Sequence, residues 1–241
     1  MNALNLVQHD FVGISFWLVT ALMLASTVFF FLERQDVIAK WKTSLSVATL
    51  VTGIAFWHYL YMQEMWVETG ATPTVYRYID WFITVPLQVV EFYLIVAAVA
   101  VISVSVFWRL LIASLVMLVG GYLGETGIWE PSVGFTIGFI AWLYIIYEIF
   151  KGPAAKANAN SGNAASQQAF TTIKWIVTVG WAIYPLGYVL GYFGGVDNPQ
   201  ALNIVYNLAD LLNKTAFSPI LQPTSKMIFA FLANSIDHPV S

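Results

Sequence analysis

Residues 77–91 read RYIDWFITVPLQVVE, a run built for hydrocarbon that nonetheless carries an arginine, an aspartate and a glutamate. Asp80, Thr84 and Glu91 follow one another at spacings of four and seven residues. At about 100° per residue these steps stay within about 40° of one helix face, and they set Glu91 roughly 16 Å along the axis from Asp80. One stripe of a single helix therefore carries an acid, a hydroxyl and a second acid.

The surrounding chain decides that this helix crosses a membrane. Of 241 residues 59% are hydrophobic and only 10% charged, and the mean hydropathy is +0.73, far more apolar than soluble domains. A span needs about 20 mostly apolar residues. Seven such runs occur: Phe11 to Leu32, Lys42 to Gln63, Val75 to Ala98, Phe107 to Leu123, Val133 to Phe150, Phe170 to Phe193, and one beginning near Ala201. The first is too long for a signal sequence and lacks a small-residue cleavage site, so it is expected to remain as a membrane helix. The expectation is an all-α, seven-transmembrane-helix bundle forming a single domain over residues 1–241. The joint KGPAAKANANSGNAASQQA (151–169) is expected to be disordered, being rich in Ala, Asn, Ser and Gly.

Cations orient the bundle. Arg34, Lys40 and Lys42 lie in the first joint, Arg109 in the third, and Lys151 and Lys156 in the fifth, whereas the fourth and sixth have no Lys or Arg. The positive-inside rule then places the N-terminus outside and the C-terminus in the cytoplasm. Arg77 and Asp80 fall toward the exterior and Glu91 toward the cytoplasm. A net charge of -3 and the lack of a basic, aromatic-interleaved patch argue against nucleic acid. With no cysteine there is no disulfide or thiolate chemistry, and His9, His58 and His238 have no metal-ligand spacing.

The seventh run holds a second charged pair, Asp210 and Lys214, four residues apart on one face. An ordinary buried ion pair accounts for these two equally well. Insertion scales nevertheless charge about 2.5–3.5 kcal/mol for a mid-membrane Arg, Lys or Asp, so Arg77, Asp80, Glu91, Asp210 and Lys214 together cost on the order of 15 kcal/mol before pairing. That is as much as the net stability of a typical fold, about 5–15 kcal/mol. Pairing offers nothing to Glu91, which has no cation in the pattern; burial disfavours its charged form and leaves a neutral acid able to give up a proton. A buried lysine between an outer and an inner acid has the parts of a vectorial proton relay. Lysine in apolar surroundings also suits a Schiff base with a carbonyl cofactor, for which Asp80 and Asp210 are both possible counterions. Trp81, Trp142, Trp181, Tyr184 and Tyr206 could line a cavity for a long apolar ligand, although helix packing explains each one alone. Pro86 and Pro185 are expected to kink helices three and six. His58 shares the outer half of the membrane with Asp80, so its charge would influence that acid.

The runs RYIDWFITVPLQVVEFYL, WAIYPLGY and NLADLLNK together resemble the microbial rhodopsins, and within them the proteorhodopsin group, from about Phe11 to Phe217. The resemblance implies all-trans retinal in Schiff-base linkage to Lys214. It casts Asp80 as counterion and proton acceptor, Asp210 as second counterion, Glu91 as proton donor, and Arg77 as the outer charge that tunes Asp80. Asp80, Thr84 and Glu91 match the family's proton-pump triplet, so the implied protein is a light-driven outward proton pump rather than an enzyme, in the cell's inner membrane. A photosensor that transports little is the alternative, and a transporter or receptor indifferent to light a third reading. The pocket residues implied are Trp81, Gln88, Trp142, Trp181, Tyr184, Pro185 and Tyr206. Gln88 matches the position at which blue-absorbing members have glutamine, so blue absorption is expected. By the same resemblance the chain forms a homo-oligomeric ring, a pentamer or hexamer, with Trp17 and His58 near the protomer interface.

The tail after Phe217, SPILQPTSKMIFAFLANSIDHPVS, departs from the family. Pro219 and Pro223 lie within about 14 Å of Lys214 along a helix axis. Either helix seven bends or ends early, or the tail from about residue 218 is foreign to the family.

Overall fold

The computed structural model describes residues 6–37, 39–97, 100–162, 164–193 and 199–215. Its helices are α1 (Phe11–Asp36), α2 (Ala39–Thr69), α3 (Thr74–Ala97), α4 (Val104–Glu125), α5 (Pro131–Lys151), α6 (Pro153–Ala159), α7 (Ala164–Trp175), α8 (Ile183–Tyr192) and α9 (Pro199–Thr215). Among the described residues there is no strand. Six stretches of the described residues are long and apolar enough to cross a membrane: Phe11–Asp36, Lys42–Thr69, Thr74–Ala97, Val104–Glu125, Pro131–Ala159 and Ser166–Tyr192. The seventh crossing, α9, is recognisable from its faces instead. Asn203, Asn207, Asp210, Asn213 and Lys214 are buried, while Ile204, Leu208 and Leu212 point outward. A polar interior inside an apolar exterior suits lipid, where hydrocarbon on the outside costs nothing and interior polar groups bond across helices.

Neighbours in sequence are neighbours in space: α1 packs on α2, α2 on α3, α3 on α4 and α4 on α5, and α9 closes the ring against α8 and α1. The α4–α5 contact is backbone on backbone. A Cβ built on Gly134 would stand 2.6 Å from both the Gly120 carbonyl oxygen and the Gly124 Cα, so only glycine permits this approach.

One expectation needs correction. Residues 151–169 are largely helical, carrying α6 and the start of α7. Alanine, the best helix former, supplies the propensity, and side chains tie the turn between them: Ser166 donates to Asn158 Oδ1 at 2.9 Å and Gln167 Nε2 to the Ala159 carbonyl at 3.0 Å. The two prolines sit differently in their helices. Pro86 lies inside α3 without interrupting it. The sixth crossing is irregular ahead of Pro185, with a π-turn over Ile176–Gly180 and a break at Trp181 and Ala182. The ring of Pro185 excludes the usual bond to the residue four before it, Trp181. The Trp181 carbonyl instead accepts from Tyr184 N at 3.1 Å, and the Trp181 amide donates to Ile176 O at 3.0 Å. Phe217, Pro219, Pro223 and the tail lie outside the described residues, which follow α9 through Thr215.

Candidate functional site

The centre of the bundle is an amine between two carboxylates. Lys214, one turn beyond Asp210 on the buried face of α9, donates from Nζ to Asp210 Oδ2 at 3.0 Å and to Asp80 Oδ2 of α3. Asp210 is saturated with donors: Trp81 Nε1 at 3.0 Å and Tyr184 OH at 2.7 Å on Oδ1, and Tyr59 OH at 2.8 Å on Oδ2. Asp80 is less well served. Its Oδ1 is buried without a hydrogen-bond partner among the described residues. The two acids beside Lys214 therefore differ: Asp210 is fixed as an anion by four donors, and Asp80 has an oxygen free to take a proton.

The α3 stripe is buried along its length, with Arg77, Asp80 and Thr84 at 0%, Gln88 at 3% and Glu91 at 1% exposure. The Arg77 guanidinium bonds neither aspartate. It donates to Asn203 Oδ1 and Asn207 Oδ1, each at 3.0 Å, and weakly to Tyr59 OH at 3.4 Å, and it lies over the Tyr206 ring at 5.4 Å. Tyr59, which in turn donates to Asp210, links the two charges. Thr84 Oγ1 donates to the Asp80 backbone carbonyl at 2.9 Å, and Gln88 Nε2 donates to the Asn213 carbonyl at 3.3 Å, next to Lys214. His58 Nδ1 is 3.8 Å from Asp80 Oδ1 but only 2.9 Å from the Ile54 carbonyl. A carbonyl only accepts, so Nδ1 carries the hydrogen and gives it to Ile54. Glu91 has no cation beside it, and its Oε1 is buried without a partner among the described residues. The Trp17 indole Nε1, on α1 against the helix of His58, is likewise buried and unpartnered among the described residues.

Beside Lys214 lies a cavity of about 760 Å³ including its mouth. The structure brings to its wall Trp81, Gln88, Trp142, Trp181, Tyr184, Pro185, Tyr206 and Lys214, all residues singled out above, together with Met117, Gly121, Gly138 and Phe139. Trp142 is fixed by its indole, which donates to the Val177 carbonyl in the π-turn at 3.0 Å. An almost wholly apolar chamber with one amine in its wall, and two anions for that amine when charged, fits the aldehyde and polyene of retinal. Among the described residues no cluster could hold a metal.

Several residues of this centre were missed by the sequence reading. Tyr59, Asn203, Asn207 and Asn213 carry its hydrogen bonds. The three asparagines were legible, since 203, 207, 210, 213 and 214 fall at helical spacing with Asp210 and Lys214. Glu125 falls between the fourth and fifth apolar runs, outside every span read from the sequence, yet it receives three tyrosine hydroxyls at one wall of the cavity. No sequence signal marks it, because its donors come from three other helices.

The comparisons with known proteins identify the family. The family model described as bacteriorhodopsin-like protein matches residues 10–228. The chain is 56% identical over 219 residues, 90% of its length and 87% of the relative's, to the green-light absorbing proteorhodopsin of Gamma-proteobacterium EBAC31A08. Among solved structures, the blue light-absorbing proteorhodopsin from Med12 superposes with a TM-score of 0.81 at 63% identity, covering 91% of this chain and 100% of that one. Xanthorhodopsin, a light-driven ion pump with dual chromophore, superposes with a TM-score of 0.77 at 25% identity, covering 92% of this chain and 94% of that one.

Proposed function

The chain belongs to the bacteriorhodopsin-like family, as a multi-pass membrane protein similar to the proteorhodopsins, and on that premise we propose that it is a light-driven outward proton pump. The observation that carries the proposal is the placement of the Lys214 amine at the wall of an apolar cavity between Asp80 and Asp210, with Glu91 buried alone on the same face of α3 as Asp80. Lys214 would hold all-trans retinal as a Schiff base, with Trp81, Trp142, Trp181, Tyr184 and Pro185 bounding its chain. When bound, retinal supplies light absorption and an isomerisation that alters the proton affinity of the Lys214 nitrogen.

The protein's own groups give the proton a direction. Asp80 takes the proton from the Lys214 nitrogen at Oδ2 or at its free Oδ1, while Asp210, held by Tyr59, Trp81 and Tyr184, stays ionised and keeps the nitrogen in place. Glu91 then restores the proton to the nitrogen from the other end of α3. Exchange of donor and acceptor is prevented by their separation, about 16 Å along the helix. With the cation-rich joints in the cytoplasm, Asp80 faces the exterior and transport is outward.

The finer proposals rest on the apolar runs, the distribution of cations and the resemblance. They are one domain over residues 1–241, the N-terminus outside and C-terminus in the cytoplasm, residence in the inner membrane, blue absorption set by Gln88, and a pentameric or hexameric ring with Trp17 and His58 near the protomer contact. The direct test is light-driven acidification of a suspension of retinal-supplied cells carrying the protein, collapsing on addition of a protonophore. Protein that absorbs visible light but leaves the medium unchanged would be the photosensor. Protein that stays colourless with retinal, or keeps its colour as Lys214→Ala, would overturn the assignment of Lys214.

A further inference from the structure

The contact between α4 and α5 changes character along its length. Near the turn that joins them backbone meets backbone, and a Cβ on Gly120 would stand 3.0 Å from the Gly138 amide nitrogen. Toward the other end it opens to the outside as a groove of about 950 Å³ including its open side. Ala113 and Ala141, 8% and 7% exposed, form the floor, and Ile112, Val116 and Ile140 stand exposed along the walls. The groove follows α4 from Val116 back to Arg109, two turns or about 10 Å of helix. Arg109 is out of keeping with this lining. It lies inside the span Val104–Glu125, with its side chain 42% exposed. Its Nη2 is 2.8 Å from Oε1 of the buried Glu148, an ion pair in which that oxygen accepts no hydrogen bond. Glu148 therefore balances the charge, but the N–H groups of the guanidinium have no acceptor among the described residues. Unspent donors on a cation are expensive in hydrocarbon and call for oxygen at the level of the headgroups. Cations dominate this end of α4 to α7. Arg109, Lys151, Lys156 and Lys174, the last over the Phe150 ring of α5, face Glu148 as the one acid.

We propose that the α4–α5 groove is a binding site for an anionic phospholipid, with one acyl chain lying over Ala113 and Ala141 and the phosphate oxygens accepting from Arg109. A phosphate diester offers two oxygens to the fork of a guanidinium, which suits the unspent donors. The surrounding charge selects among lipids that share the phosphate. A choline headgroup brings an ammonium that Lys151 and Lys156 repel, whereas a glycerol headgroup leaves the phosphate charge uncompensated and attracted. A second copy of the chain is the poorer occupant, because the ring contact proposed above lies on α1 and α2, across the ring of helices from α5. The site rests on the chain spanning a membrane and is independent of whether it pumps.

The test places the full chain in bilayers of phosphatidylglycerol and phosphatidylcholine in equal amounts, with a photoactivated diazirine on an acyl chain of one lipid or the other. After irradiation and digestion, mass spectrometry locates the attached lipid. Phosphatidylglycerol is expected to label α4 and α5 about fivefold more than phosphatidylcholine, the worth of one cation beside a headgroup. Arg109→Gln should abolish that preference, and Arg109→Lys, which keeps the charge, should retain most of it. Equal labelling by the two lipids, or labelling by phosphatidylglycerol spread evenly over all the helices, would show only solvating lipid and overturn the proposal. Links between two chains across the groove in place of lipid would assign it to a second copy and overturn it equally. Arg109→Gln also strips Glu148 of its counter-charge. Should that variant fail to fold, Ala141→Phe fills the floor and leaves every charge in place. It should remove the labelling of α4 and α5, and unchanged labelling would overturn the site.

Discussion

Replacing Glu91 by glutamine separates a proton donor from a packing residue. Glutamine has nearly the same shape and no proton to give. Because Glu91 has no ion pair among the described residues and Oε1 is unpartnered, the exchange should change stability by less than about 1.5 kcal/mol, the usual cost of an isosteric core swap. The rate at which the Lys214 nitrogen regains its proton should change far more. With Glu91 present the supply is internal and nearly independent of bulk pH. Without it the proton comes from water, at no more than the diffusion limit of about 10⁹–10¹⁰ M⁻¹ s⁻¹. At pH 7 that caps recovery on the order of 10²–10³ s⁻¹, and burial at 1% exposure lowers it further. The clear signature is the pH dependence: in Glu91→Gln, recovery of the visible band after a flash should slow about tenfold for each unit from pH 6 to pH 8, as the proton concentration falls. The unaltered protein should stay nearly flat. Recovery in the variant that is equally fast and equally flat would remove Glu91 from the donor role.

Asp80→Asn should keep visible colour, moved to longer wavelength because the Lys214 nitrogen loses its nearer anion, and should abolish light-driven acidification; persistent acidification would mean another group accepts the proton. Gln88→Leu, which removes a dipole bonded to the carbonyl beside Lys214, should also move absorption to longer wavelength, and an unchanged spectrum would refute its tuning role. Gly134→Ala forces α4 and α5 apart, since its Cβ would meet Gly120 and Gly124 at 2.6 Å, and should cost about 1–3 kcal/mol. Heating the pigmented protein reads that cost as faster bleaching, and an unchanged half-life would show slack in the contact.

What the sequence made legible was what lies on one helix at a time. The α3 stripe from Arg77 to Glu91 and the Asp210–Lys214 pair follow from helical periodicity alone, and every member is buried. Contacts between helices were not legible in the same way. Even within a helix, the bonds of His58 to the Ile54 carbonyl and of Thr84 to the Asp80 carbonyl were not legible, because they depend on side-chain rotation. The Glu125 cluster depends on how four helices meet. The joint at 151–169 misled because its composition suits both disorder and an alanine-rich helix; the bonds around Asn158 decide for the helix. Nor did hydropathy mark α9 clearly, because its polar residues are spent on the interior.

The burial cost that singled out these residues is met by their combination. Arg77 and Lys214 carry two positive charges, Asp80 and Asp210 two negative, and all four side chains lie in one buried network joined through Tyr59. The quartet is neutral as a whole, so the low-dielectric interior holds dipoles rather than a net charge. Passing a proton from the Lys214 nitrogen to Asp80 leaves Arg77 and Asp210 charged and the sum still zero. The first transfer therefore needs no net charge to enter or leave the membrane interior, only a rearrangement over one hydrogen bond. Glu91 lies outside this balance. As a neutral acid it adds no charge at rest, but once it has given its proton to the nitrogen it becomes an isolated buried anion. Restoring its neutrality then draws a proton from the cytoplasmic side, toward which its end of α3 is proposed to face. On this account the order of the two transfers follows from electrostatics: the neutral quartet exchanges internally first, and the lone acid acts second.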